Sequence, residues 1–156
     1  MQPDDVEYAG FWIRVGAALI DSLLILMVIV PLLVAIYGWG YFGEQTSLIA
    51  GPADFLISYV APAVAIIAFW LYRQATPGKM VLSLRVVDAT TGGTLSLGQS
   101  IGRYFGYYVS TIPLLMGLIW VAFDRRKQGW HDKLAGTVVI RSKARGTAPV
   151  RFEPKR

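Results

Sequence analysis

The fold is decided by one stretch of the sequence, Phe11–Ile36, which reads FWIRVGAALIDSLLILMVIVPLLVAI. A helix of this length rises about 39 Å, against roughly 30 Å for the hydrocarbon core of a bilayer. Two charged residues interrupt it, Arg14 and Asp21. A carboxylate inside a membrane costs roughly 2.5–3.5 kcal/mol on insertion scales, so Asp21 requires a partner or a wet cavity. The seven-residue spacing puts Arg14 on nearly the same helix face, and we expect both to point toward one neighbour.

The composition indicates a small membrane domain. The chain has 156 residues, of which 54% are hydrophobic, and the apolar residues are grouped in blocks. We expect a cytoplasmic N-terminal segment at 1–10, a membrane domain at 11–141 and a basic, disordered tail at 142–156. The absence of cysteine excludes disulfides and thiol catalysis, and a single histidine excludes a multi-histidine metal site. No metal or other cofactor is expected.

The net charge of +5 predicts a lipid partner. In a membrane protein, excess positive charge is typical of cytoplasmic loops and of attraction to anionic headgroups, so no nucleic-acid partner is expected. The N-terminus, Met1–Glu7, is acidic where a signal peptide requires positive charge, and no cleavable signal is predicted. No serine lies in a nucleophile-elbow context, and the chain is not expected to be an enzyme.

A second span is predicted at 55–72. Pro62 is expected to kink it, and Trp70 and Tyr72 are placed at its membrane interface. The preceding loop, 38–52, contains no lysine or arginine and should lie outside the cell. The N-terminus is then cytoplasmic.

A third apolar segment, 101–123, is broken by Pro113 and Gly117. As a single span it would place the very basic C-terminal segment outside, against the positive-inside rule. We therefore favour a re-entrant hairpin that returns to the cytoplasm, with a plain third span as the alternative. The predicted fold class is an all-α membrane protein with two transmembrane helices, this broken third segment and a small cytoplasmic β element.

The β element is predicted from three short runs. Met80–Asp88 and Leu95–Leu97 flank the turn Thr91-Thr94, which contains two glycines and is typical of a hairpin. Gly136–Arg141 is a third β-prone run, and a sheet made from both regions is expected.

Several of these motifs resemble the RDD family of small bacterial membrane proteins. The resemblance rests on Phe11–Asp21, Thr76–Lys79, Leu84–Asp88 and Trp130–Val139, which occur in the family's order. The family is named after one arginine and two aspartates. Arg14, Asp21 and Asp132 match them, with Asp124 as the alternative for the last. The resemblance implies a multi-pass protein of the bacterial cytoplasmic (inner) membrane that transports some ligand, with monovalent cation/proton exchange as the most concrete suggestion.

Each candidate site residue has two interpretations. Asp21 is either an ion- or proton-binding group or a structural link between helices. Arg14 either tunes Asp21 or anchors the helix to headgroups. His131 and Asp132 either form a pH-sensitive gate or stabilise a turn, with Asp132 capping it or pairing with Arg85 or Lys79.

The predicted function is transport of small ligands, most concretely exchange of a monovalent cation such as Na⁺, K⁺ or Li⁺ for H⁺. Two or three helices enclose no pathway alone, so a homo-oligomer with the Arg14/Asp21 face inward is required. The alternative is a non-transporting scaffold that binds another membrane protein through the same face. The cluster Arg125, Arg126 and Lys127 is expected to contact anionic headgroups.

Overall fold

In a computed structural model, which describes residues 6–43 and 49–142, the chain is mainly helical with one small sheet. The predicted tail at 142–156 lies outside the described residues except for Ser142, as do residues 1–5 of the N-terminal segment. The elements are, in chain order, β1 (Val6–Tyr8), α1 (Phe11–Tyr37), α2 (Pro52–Phe55), α3 (Ala61–Arg73), α4 (Pro77–Val81), β2 (Leu84–Asp88), α5 (Leu97–Thr111), α6 (Met116–Phe123), α7 (Trp130–Ala135) and β3 (Thr137–Ser142).

Two helical stretches, Phe11–Tyr37 and Pro52–Val81, are long and apolar enough to cross a membrane. The first is α1, and it coincides with the predicted 11–36. Large apolar side chains such as Leu23 and Met27 are exposed along it, as expected where the surroundings are lipid. The second stretch includes α2, α3 and α4, and the left-handed residue Gln74 interrupts it between α3 and α4. The prediction of two long apolar helices is confirmed.

The predicted irregularity at Pro62 takes the form of a π-helical turn, Leu56–Val60, which joins α2 to α3. Proline lacks an N–H, and its ring clashes with the carbonyl four residues earlier, here that of Ser58. A wider turn just before the proline is a common way to relieve that clash.

The third apolar segment is bent sharply. α5 and α6 meet at an angle of 99° across the break that contains Pro113. The chain enters α5 from β2 and leaves α6 through α7 into β3, and β2 pairs with β3. Both ends of the segment therefore lie on one side of the molecule. A bend of this size fits both a re-entrant hairpin and a broken third span.

The three strands form an antiparallel sheet in the order β1-β3-β2. Pairing between the 84–88 and 137–142 regions agrees with the prediction. The predicted β-hairpin, with a second strand at Leu95–Leu97, is wrong. Ser96 instead caps the N-terminus of α5 and exchanges hydrogen bonds with Gln99 in a capping box. The third strand comes instead from the N-terminal segment, where Val6 and Tyr8 alternate with Glu7.

The main core lies where the sheet meets the helices. Its buried members are Ala9, Ala17, Trp70, Leu84, Val86, Leu95 and Val139. Trp70 is only 1% exposed, so its predicted place at the membrane interface is wrong. Tyr72, which is 85% exposed, remains available for that role.

Candidate functional site

A buried charge cluster joins residues of α1, α5 and α7. Asp132 is fully buried at the third position of α7. Its Oδ2 lies 2.6 Å from Nη1 of Arg14, and its Oδ1 is in contact with Nη1 of Arg103. The backbone N–H of Gly129 also donates to Oδ2, over 3.0 Å. Asp132 thus caps its helix and pairs with two arginines at once.

Arg14 links three parts of the fold. Besides its contact with Asp132, its Nε donates to the carbonyl of Ala9 at 3.0 Å, and its Nη2 donates to that of Lys127 at 2.5 Å. The side chain is only 11% exposed. The structure therefore gives Arg14 a role inside the protein rather than as a headgroup anchor.

Arg103 is the partner that sequence reasoning missed. It is completely buried, and its Nη1 donates to Oγ1 of Thr137 at 2.5 Å. Its guanidinium carbon lies 5.3 Å from the ring centre of Trp70 and 5.8 Å from that of Tyr107. The expectation that Asp132 pairs with Arg85 or Lys79 is wrong. The sequence feature that could have identified Arg103 is its position inside an apolar helix, where an arginine requires an acidic partner.

Electrostatics keep Asp132 ionised. Burial alone would raise the pKa of its carboxyl, but Arg103 and Arg14 outweigh burial and hold that pKa well below its usual range. Of the two aspartates considered, Asp132 is the one that contacts Arg14. Asp124 instead pairs with Lys133 at 2.6 Å near the surface.

His131 is buried beside this cluster. Its Nε2 lies 3.4 Å from Oδ1 of Asp132, its Nδ1 lies 3.2 Å from Oγ of Ser110, and its ring stacks on Tyr107 with 4.0 Å between centres. Burial is the main reason that the pKa of His131 falls to about 3. Asp132 opposes this shift, whereas Arg103 and Arg14 lower the pKa further. A group that stays neutral from pH 5 to 8 does not support the interpretation as a pH sensor.

Asp21 lies apart from Arg14. Its Oδ2 accepts from Oγ1 of Thr76 at 2.5 Å, and its Oδ1 accepts from the backbone N–H of Gly78 at 2.6 Å. The carboxylate thereby links α1 to the start of α4. Gly78 permits this approach, since a Cβ there would lie 2.2 Å from the carbonyl oxygen of Ala17. The expectation that Arg14 and Asp21 point toward one neighbour is wrong.

A cavity of about 670 Å³, here called the central cavity, lies between α1, α3, α4 and α5. Its walls are largely apolar along Leu24, Val28, Leu32 and Ala65. Its polar lining includes Asp21, Thr76, Lys79, Trp70 and Tyr107. These residues lie at one end of the cavity. Thr76 donates a hydrogen bond to Asp21. The ammonium of Lys79 lies 5.7 Å from the ring centre of Trp70, and the ring centre of Tyr107 lies 6.1 Å from it. The cavity is therefore amphipathic.

Two residues with hydrogen-bond donors, Lys79 and Trp70, lie together at this polar end. Lys79 is 8% exposed, and its ammonium lies 5.7 Å from the ring centre of Trp70. Nε1 of Trp70 is buried and has no hydrogen-bond partner among the described residues. Buried donors of this kind are rare in folded proteins and require an explanation.

The predicted headgroup cluster is only partly exposed. Arg126 donates from Nη2 to the carbonyl of Ala89 at 2.8 Å, and Lys127 donates from Nζ to that of Ala122 at 2.9 Å. Arg125 is exposed. Of the three residues, Arg125 is thus the one best placed to contact lipid.

Asp54 forms a second buried polar group near the other end of α1. The carboxylate accepts from Tyr41 at 2.9 Å, from Ser58 at 2.7 Å and from the backbone N–H of Ala50 at 2.8 Å. Asp54 lies in the first turn of α2. Residues 6–43 and 49–142 contain no group of three or more His, Cys, Asp or Glu side chains arranged to hold a metal ion.

Comparison with known proteins identifies the family. The model of the RDD family matches residues 8–136. The uncharacterized protein YxaI of Bacillus subtilis is 32% identical and aligns over 85% of this chain and 96% of its own length. The uncharacterized membrane protein YteJ of the same species is also 32% identical, over 87% of this chain and 82% of its own. An uncharacterized protein of Rickettsia prowazekii is 42% identical over 49% of this chain and 42% of its own length. No solved structure matches. The chain is a membrane protein that belongs to the RDD family.

Proposed function

We propose that this protein transports a small ligand that it holds in the central cavity. The observation that carries the proposal is the cavity itself, which has the size, the apolar walls and the few convergent polar groups typical of a small-molecule site. The exposed side chains of Val28 and Leu32 lie along its rim, so a ligand enters from the surrounding bilayer. The protein resides in the bacterial inner membrane with its N-terminus and sheet in the cytoplasm.

A matched pair of variants tests whether the cavity is occupied. Ala65→Phe fills the cavity from α3, whereas Val64→Phe adds the same ring at a neighbouring position that does not line it. Native mass spectrometry of protein purified in mild detergent should find bound non-protein mass in the wild type and in Val64→Phe. Ala65→Phe should lose it. Equal retention by both variants, or no bound mass in the wild type, would contradict the proposal.

Monovalent cation/proton exchange is a second candidate, and Asp21 is the observation that favours it. This carboxylate lines the cavity and accepts from only two neutral donors, whereas an ionised carboxylate has about four acceptor positions. No lysine or arginine of the described chain lies within ion-pair distance of it. A cation or a proton at Asp21 would neutralise its charge. Exchange would require a homo-oligomer, since one chain encloses no complete pathway.

Proton movement in proteoliposomes tests this second candidate. Addition of Na⁺, K⁺ or Li⁺ should drive proton flux in the wild type and in Asp124→Asn, whose carboxylate lies outside the cavity. Asp21→Asn should abolish the flux while the protein still inserts and folds. Absence of flux from folded wild-type protein with all three ions would rule out exchange.

The scaffold alternative has less support. It relied on an Arg14/Asp21 face that is free to bind another protein. Arg14 is engaged by Asp132, and Asp21 is engaged by Thr76 and Gly78 within the same chain.

A further inference from the structure

We infer that the central cavity binds an anionic phospholipid of the surrounding bilayer, with one acyl chain between α1 and α3 and the headgroup on Lys79 and Trp70. This inference rests on the proposed ligand-binding role of the cavity and specifies its ligand.

The first argument comes from the donors of Lys79 and Trp70. Lys79 offers an ammonium and Trp70 an indole N–H, and both residues line the cavity while being more than nine-tenths buried. A buried donor that finds no acceptor loses its hydration without compensation. The phosphate of a lipid supplies several acceptor oxygens and a negative charge, so one group satisfies both donors.

The second argument comes from the charge balance around the polar end. The positive groups are Lys79, Arg103 and Arg14, and the negative groups are Asp21 and Asp132. His131 remains neutral near pH 7 because burial lowers its pKa to about 3. Each arginine contacts Asp132, and Lys79 forms no ion pair among the described residues, so one positive charge is left over. An anion at the polar end balances it, whereas a second cation would increase the imbalance.

The third argument comes from the walls. From Asp21 to Leu32 the cavity follows α1 for about 16 Å, at 1.5 Å per residue. The lining along this path is aliphatic, with Leu24, Ile25, Val28 and Ile29 on α1 facing Ala61 and Ala65 on α3. A long, apolar cleft that is open at its side accommodates an acyl chain that enters laterally. A small hydrated ion would gain nothing from such walls.

Competition between lipids tests the inference. Wild-type protein is mixed with vesicles of equal parts phosphatidylglycerol and phosphatidylethanolamine, and native mass spectrometry gives the ratio of the two bound lipids. We expect a preference for phosphatidylglycerol of about tenfold or more, because both lipids carry the phosphate but only phosphatidylethanolamine brings a second ammonium near Lys79. Inorganic phosphate should not displace the lipid, because it gains nothing from the apolar walls.

Three variants locate the headgroup. Lys79→Gln should abolish the preference, and Lys79→Arg should retain it, which separates charge from folding. Arg73→Gln removes an exposed positive charge near the end of α3 and should leave the preference unchanged. An unchanged preference in Lys79→Gln, an equal loss in Arg73→Gln, or displacement by inorganic phosphate would overturn the inference. Bound mass that Ala65→Phe removes but that contains no phospholipid would overturn the lipid assignment alone and leave the proposed function intact. No bound mass in the wild type would reject both.

Discussion

Replacing Asp132 by asparagine should strongly destabilise the fold. Asp132 is fully buried, and it compensates two arginines, of which Arg103 is fully buried and Arg14 is 11% exposed. The asparagine keeps the shape but leaves both guanidinium groups without a counter-charge. Removing one partner of a buried ion pair typically costs about 3–5 kcal/mol, because an uncompensated charge remains inside the protein. We expect a loss of free energy of unfolding in that range.

The control is Asp124→Asn, which removes a carboxylate from the pair with Lys133. That lysine is 44% exposed, and pairs exposed to this degree contribute about 0–1 kcal/mol. Reversible unfolding by SDS in mixed micelles, followed by circular dichroism, gives the free energy of unfolding for both variants. If Asp132→Asn costs no more than Asp124→Asn, the cluster does not hold the fold together. A double variant with Arg14→Gln should cost less than the sum of the single changes, since it removes one of the two stranded charges.

Two further predictions concern His131 and Gly78. The folded-state pKa of His131 is about 3 and its unfolded value is about 6.5, so the unfolded state binds more protons between these values and stability falls as the pH decreases. The free energy of unfolding should drop by up to about 1.4 kcal/mol per pH unit below pH 6.5. In His131→Gln, the dependence of this free energy on pH should be flatter between pH 7 and pH 5. A flat profile in the wild type would contradict burial of the neutral ring. Gly78→Ala should destabilise the fold by about 1–3 kcal/mol, because the new Cβ would lie 2.2 Å from the carbonyl oxygen of Ala17. The control is Gly102→Ala in the middle of α5, where a Cβ meets nothing within 4 Å. It should stabilise the fold by about 0.5–1 kcal/mol. Equal effects of the two alanine substitutions, measured by the same unfolding assay, would refute the close packing of α4 on α1.

The sequence was sufficient to predict the long helices, because a block such as Phe11–Ile36 fixes both helix and apolar surroundings locally. The break in the third apolar segment was also predictable, since Pro113 and Gly117 interrupt it. β1 was not predictable, because a three-residue strand is specified by its partner rather than by its own pattern. The misassigned strand at Leu95–Leu97 shows the same limit, since the cap formed by Ser96 and Gln99 competes with a weak β signal.

The candidate site was harder to predict than the fold. The sequence identified Arg14, Asp21 and Asp132 as important, but helix periodicity relates residues only within one helix. It therefore paired Arg14 with Asp21, whereas the fold pairs Arg14 with a residue 118 positions away. The central cavity arises from the relative placement of four helices. No local pattern shows that Lys79 and Trp70 lie together at one end of it.

Fluorescence of Trp70 offers the most direct test of lipid binding in the central cavity. The protein is reduced to this single tryptophan by replacing the other four, Trp12, Trp39, Trp120 and Trp130, with phenylalanine. It is then placed in bilayers of phosphatidylglycerol that carries bromine on its acyl chains, which quenches tryptophan at close range. We predict strong quenching that Val64→Phe preserves and Ala65→Phe largely removes. Quenching that is absent, or that is equal in both variants, would contradict occupation of the cavity by a lipid chain.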